Sequence, residues 1–324
     1  MRKNNALART VVVMVTMMAS VVMSGAQDRG YDKGQCSLAV VSKTIKSGTQ
    51  VCDRGTVQKL ARSGHVFEQN QLGIASTLVI GTGYNDKEAL KWFQEAAEHG
   101  YAPAEVNLAV MYVNGWGTAV NYGAAQRWLR EAAAQRMPRA YYNLGVLYLE
   151  GKGVKQDYPE AFRWFQKGAE AGDSSAQTNL GYMYDQGWGC ERSAATAAKW
   201  YQKAADAGNP LGQNNLADLY LKGEGVPQND ALAFDLFQRA ASQGQTGAQI
   251  KLAYMYANGR GTEKNPVVAY SWVSVANTAG DRRGAELLNA LGNTLNSEQL
   301  TEAREMATKL GRAEMDQSAR NFSE

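Results

Sequence analysis

Apolar residues recur along this chain with the spacing of amphipathic helices, and the helices themselves recur every 36 residues. Between residues 138 and 173, Ala140, Leu144, Leu147 and Tyr148 stand at i, i+4, i+7 and i+8, one stripe of an α-helix. Gly151 and Gly153 follow, and glycine at that point ends a helix and permits a tight reversal. Asp157 is then placed as the N-cap of a second helix, with Glu160 three residues on in the capping-box position. That helix turns Ala161, Trp164, Phe165 and Ala169 to one side, and Ala171-Gly172 closes it. Asp173 stands where it caps the next unit, and Asn85 with Glu88 and Asn209 with Pro210 carry the same capping chemistry elsewhere.

The repeat rests on several independent rows. Leu72, Leu108, Leu144, Leu180, Leu216, Leu252 and Leu288 are each 36 residues apart. Tyr112, Tyr148, Tyr184, Tyr220 and Tyr256 keep the same step, as do Gly81, Gly117, Gly153, Gly189, Gly225 and Gly261. Ala89, Ala125, Ala161, Ala197, Ala233 and Ala269 recur in the second half of each unit. So do Trp92, Trp128, Trp164, Trp200 and Trp272, with Leu236 as the smaller member of that row. Each unit therefore reads as an antiparallel helix pair. Small residues (Ala104, Ala140, Ala176 and Ala248, with Gly212 in the same row) let helices approach closely. One pair has too little core to stand alone, whereas stacked pairs share a continuous core.

The pattern Ala140, Leu144-Gly145, Tyr148, Gly151, Gly153-Val154, then Ala161, Trp164-Phe165, Lys167, Ala169, Ala171 and Gly172 resembles the Sel1-like repeat family, relatives of tetratricopeptide repeats. The resemblance is strong over Gln71 to Gly280 and weaker toward the C-terminus. The expected fold is all-α: a right-handed α-solenoid of about six 36-residue helix-pair repeats, with a degenerate N-terminal unit and a C-terminal capping helix pair. The expected organisation is a signal peptide over residues 1–26, a degenerate cap unit over 27–66, repeats over 67–282 and capping helices with a tail over 283–324. Ala61-Arg62-Ser63-Gly64 matches Ala97-Glu98-His99-Gly100 at the same step, which is why the front segment reads as a worn unit.

The N-terminus changes how the charge is read. Arg2, Lys3 and Arg9 precede a largely apolar run over Val11 to Met23, too short to span a bilayer comfortably, and Ser24-Gly25-Ala26 follows. This is the layout of a Sec-type signal peptide cleaved after Ala26, and the periplasm is the simplest destination. The whole chain has 34 Lys and Arg against 31 Asp and Glu; removing the signal's three bases leaves 31 of each. A neutral mature chain gives no reason to expect nucleic acid as a partner, nor insertion into a membrane once the signal is removed. In an oxidising compartment Cys36 and Cys52 either pair as a disulfide or are two small buried residues, and Cys190 is left over.

Little in the sequence points to chemistry. Two histidines, His65 and His99, without a ligand spacing around them make no zinc site, and no cofactor is expected. His99 falls at a position occupied elsewhere by Gln135, Ala171, Ala207 or Gln243, the mark of a surface site. Cys190 shares its register with Val154 and Val226, which predicts an inward, apolar role. The paired glycines follow helices rather than strands and lack the setting of a phosphate loop. One branch of the resembled family has been linked to β-lactam hydrolysis, but its repeats carry cysteine pairs that this chain lacks. No catalytic residues are assigned, and the chain is expected not to be an enzyme.

What remains is surface. In tetratricopeptide-like solenoids, the face of each first helix opposite the Leu-Tyr stripe lines a groove. Asn107, Asn143, Asn179 and Asn215 form a row there with Lys251 next in register, and stacked amides can donate to and accept from a peptide backbone. Such a row can equally bridge neighbouring helices. Tyr142, Tyr182 and Tyr254 lie on nearby rows that vary between units, which suits partner specificity. The expectation is an exported protein-interaction scaffold. Resemblance to exported relatives implies most specifically an immunity or inhibitor protein that binds a periplasm-acting effector toxin, such as a type VI secretion phospholipase. The alternative is a scaffold or adaptor in envelope or peptidoglycan maintenance, with a hydrolase a distant third.

Overall fold

The structure is a computed structural model that describes residues 36–38, 50–52, 54–77 and 85–321. The signal segment, and with it the cleavage point after Ala26, lies outside the described residues. Two short strands, β1 (Cys36–Leu38) and β2 (Gln50–Cys52), pair in parallel, with Cys36 opposite Gln50 and Leu38 opposite Cys52. Among its described residues the front segment, read from sequence as a degenerate cap unit, contains this small ladder and one helix, α1 (Arg54–Arg62). The side chains of Cys36 and Cys52 lie outside the described residues, and their bonding with them.

Beyond α1 the architecture is an all-α solenoid. The first helices of the repeats are α2 (Val66–Thr77), α4 (Ala102–Asn114), α6 (Pro138–Glu150), α8 (Ser174–Gln186), α10 (Pro210–Lys222) and α12 (Thr246–Asn258). The second helices are α3 (Asp86–Glu98), α5 (Tyr122–Ala134), α7 (Tyr158–Glu170), α9 (Ala194–Asp206), α11 (Asp230–Ser242) and α13 (Pro266–Thr278). A 3₁₀ turn, Arg282–Gly284, leads to α14 (Ala285–Thr294) and the 25-residue α15 (Ser297–Asn321). From α4 onward a unit is 13 residues of helix, a seven-residue inner loop, another 13 residues of helix and a three-residue outer turn, which accounts for the step of 36. The helices fall into two compact units, the first ending at Asp157 and the second covering Tyr158–Ala319.

The caps work as the sequence pattern implies. Asn85 accepts from the Glu88 N–H at 3.1 Å, its side-chain amide donates to the Glu88 carboxylate at 3.0 Å, and its backbone N–H donates to the Ser76 carbonyl at 3.0 Å. Asn121, Ser193, Asn229 and Asn265 cap α5, α9, α11 and α13 through their side-chain oxygens, and Asp173 and Asn209 cap α8 and α10. Two of the caps also tie units together: Asn209 donates to the Ser174 hydroxyl at 3.4 Å, and Asp281 accepts from the Thr246 hydroxyl at 2.8 Å.

The two loop glycines have different reasons to exist. Gly223 is the left-handed C-cap of α10, at φ 69°. Gly225, at φ 74°, also sits where a Cβ would run into the backbone of Ala194 at the head of the preceding second helix. The same closeness recurs at Gly189 against the Tyr158 carbonyl and at Gly117 against that of Asp86. The second glycine row is therefore where one unit's loop seats on the previous unit's helix, and its lack of a side chain sets the stacking distance.

Two repeats pair a glycine on the first helix with a large aromatic side chain on the second. Gly181 lies beside Tyr201 and Gly73 beside Phe93, in both cases closer than any Cβ would permit. In the second unit a continuous core joins Tyr201, Leu216, Leu219, Phe237, Leu252, Met255, Trp272 and Val273 across five helices. Tyr201, Phe165 and Phe237 are almost wholly buried, and truncating such a side chain typically costs about 3–5 kcal/mol.

Candidate interaction surface

The sequence-predicted residues lie on the first helices of both units, and each unit presents its own members differently. In the first unit Asn107 and Asn143 are each 4% exposed and Tyr142 is 3% exposed. Val106, Val110, Val113 and Val146 beside them are buried as well. The Asn107 amide donates to the Asn70 Oδ1 at 3.0 Å, so here the amide bridges neighbouring helices. Asn143 stands in the register that would address residue 106, where valine offers no acceptor, and its amide nitrogen has no hydrogen-bond partner. Tyr142 carries the Arg139 guanidinium over its ring at 5.1 Å.

The second unit holds the accessible members. Asn179, Asn215 and Tyr182 are half-buried, and Tyr254 is 42% exposed. Asn215 accepts from Asn214 at 3.0 Å. Asn214 accepts from the Lys251 ammonium at 3.1 Å, and that ammonium also reaches the Asp218 carboxylate at 2.5 Å. Burial pushes the Lys251 proton affinity below its ordinary value, and the Asp218 carboxylate opposes that without cancelling it. Burial raises the Tyr201 phenol well above its ordinary range, with Asp185, Tyr182 and Asp218 adding to it and a bond to Asn215 opposing. Tyr182 meets Trp188 edge-on at 5.3 Å, and Trp188 stacks on Tyr158 at 4.9 Å.

Sequence reasoning reached the asparagine row and Lys251 but missed Asp218. A helical net drawn through Lys251 shows Asp218 33 residues earlier, within one turn of the register neighbour at position 215. The arrangement can do what a mixed polar and aromatic surface does: offer fixed amides, an anchored charge pair and Tyr rings at low entropic cost. Among the described residues there is no group of three or more His, Cys, Asp and Glu side chains that could hold a metal ion. No helix among them is long and apolar enough to cross a membrane. His99 is exposed, its Nδ1 at 2.8 Å from the Glu95 carbonyl. Cys190 is a half-buried free thiol whose proton affinity is raised by burial, the reverse of what activates a nucleophile.

This architecture defines a helix-pair repeat protein. The family model for the Sel1 repeat matches six times, over residues 69–101, 102–136, 138–173, 174–209, 210–245 and 246–281. The chain belongs to the Sel1 repeat family, a protein-interaction scaffold. It is similar to a solved Sel1 repeat protein from Oxalobacter formigenes at 31% identity, covering 68% of this chain and 95% of that one, with a TM-score of 0.60. It is also similar to the protective antigen c5321 of uropathogenic Escherichia coli, at 26% identity, 82% and 65% coverage and a TM-score of 0.49. Immunity protein Pa5087 from Pseudomonas aeruginosa shares the fold at 17% identity, 83% and 84% coverage and a TM-score of 0.50. No curated protein matches.

Proposed function

We propose that this protein is exported to the periplasm and there binds, and so neutralises, a protein effector delivered into that compartment. It acts by binding and performs no catalysis of its own. The observation that carries the reading is the second unit's first-helix face, where Tyr254 stands exposed beside an anchored Lys251–Asp218 pair and half-buried Asn179, Asn215 and Tyr182. Rigid helices hold these groups, so an effector meets a preformed surface and little ordering cost is left to binding. The N-terminal pattern ending at Ala26 supports export, and the balanced charge of the remaining chain suits a protein partner. The solenoid fold is also that of immunity protein Pa5087, which supports this reading.

The test uses residues 27–324 as bait against secreted proteins, followed by co-expression of the captured protein in the periplasm. The expected result is one effector in about one-to-one amount, toxic alone and harmless when this protein accompanies it. Capture of several resident envelope proteins, or toxicity that persists although the complex forms, contradicts the reading.

A further inference from the structure

One row of the repeat, residues 69, 105, 141, 177, 213 and 249, serves a structural bond at its four glutamines; the other two members are Tyr141 and the acid Glu105. Gln69, Gln177, Gln213 and Gln249 occupy equivalent positions on their first helices. Each donates its side-chain amide to the backbone carbonyl eight residues earlier, at the end of the preceding second helix: Ala61, Ala169, Ala205 and Ala241, at 3.1, 3.3, 3.4 and 3.3 Å. In the first unit the same position is Glu105, whose counterpart is the carbonyl of Ala97. An ionised carboxylate has no proton to donate there, whereas a neutral carboxyl does.

The surroundings favour the neutral form. Glu105 is 2% exposed. Gln135 donates to both of its oxygens, at 2.9 and 3.1 Å, in the place where Gln243 donates to Gln213 at 2.9 Å. Burial pushes the carboxyl from 4.5 up to about 7, the like charge of Glu131 on α5 adds to the rise, and the Gln135 bond opposes it. Other charged groups on the elements around it include Glu68, buried on α2; Glu95 on α3, which accepts from Gln69 at 3.3 Å; Glu98 and His99, exposed at the end of α3; Arg127 on α5, paired with Glu131 at 3.7 Å, and Arg130; and Arg139 on α6, over the Tyr142 ring.

We propose that Glu105 is a proton-operated joint of the first unit: neutral, it closes the seam between α3, α4 and α5 as glutamine does in four of the five sister repeats, and ionised, it loosens that seam. The sign follows from linkage. The folded chain keeps this proton where the unfolded chain has already released it, so the contribution of Glu105 is full below about 4.5 and falls as pH rises toward about 7. An effector-binding surface in the other unit is not required for this, and the two readings fail separately.

Hydrogen exchange of the full chain, corrected for the intrinsic pH dependence of exchange, tests it. In wild type, protection of residues 102–114 is expected to fall at least tenfold between pH 5 and pH 8, while residues 246–258 in the second unit serve as the internal reference. In Glu105→Gln the fall is expected to vanish. Equal losses in both proteins, or flat protection in wild type, overturn the proposal. Should Glu105→Gln fail to fold, Glu131→Gln carries the test: removing the like charge must move the loosening to lower pH, and an unmoved midpoint overturns the proposal.

Discussion

At the scale of single residues, the repeat makes departures interpretable because each position has five or six counterparts. The outer turn closes with a glycine at positive φ in every unit but one: Gly64, Gly100, Gly172, Gly208, Gly244 and Gly280. The exception is Arg136, at φ 61°, which is exposed and takes the left-handed conformation at a steric cost. Arg136→Gly is expected to raise the stability of the first unit by about 0.5–1 kcal/mol, after the extra chain entropy that glycine brings to the unfolded state. Urea unfolding followed by a probe in the first unit measures it; a lower midpoint would show that the arginine side chain contributes more than the turn loses. Glu105 is legible by the same comparison, as the one acid in a row that otherwise holds four glutamines and Tyr141. That it is buried and held by Gln135 was not legible, because the partner lies 30 residues away on another helix.

At the scale of elements, the sequence specified helix lengths, loop lengths and caps almost completely, since all three follow from local chemistry repeated in register. The small ladder at the front of the chain is what the repeat does not announce. Gln50-Val51-Cys52 carries no repeat signature, and pairing with Cys36-Ser37-Leu38 is a non-local event that no periodicity announces. The glycines of the inner loop offer a sharp test of how the elements stack. Gly225 and Gly244 have similar positive φ angles, 74° and 81°, but a Cβ meets the Ala194 backbone at the first and nothing within 4 Å at the second. Gly244→Ala should therefore cost about 1 kcal/mol, for conformation alone. Gly225→Ala should cost about 3 kcal/mol, because the loop must also lift from the neighbouring helix. Denaturant midpoints of the two variants decide it, and equal losses would mean that the second glycine row does not set the stacking.

At the scale of the molecule, the candidate surface was half legible. Asn107, Asn143, Asn179 and Asn215 share one register in the sequence, which suggests a uniform ladder. The structure divides them: in the first unit Asn107 bridges to Asn70 and Asn143 is buried with no partner for its amide nitrogen, whereas Asn179 and Asn215 in the second are half-buried. Burial of a helix face depends on what stacks against it, and a repeat pattern carries that information only for contacts inside the repeat. Tyr254 stands exposed on α12, whereas Gln166 stands exposed on α7, in the other helix layer of the same unit. The central claim is that the protein works through the first of these faces. The most direct measurement places a photo-crosslinking amino acid at position 254 or at position 166 and irradiates each protein with the effector it captures. The account predicts an adduct from position 254 and none from 166. An adduct from 166 alone, or equal adducts from both, would contradict it.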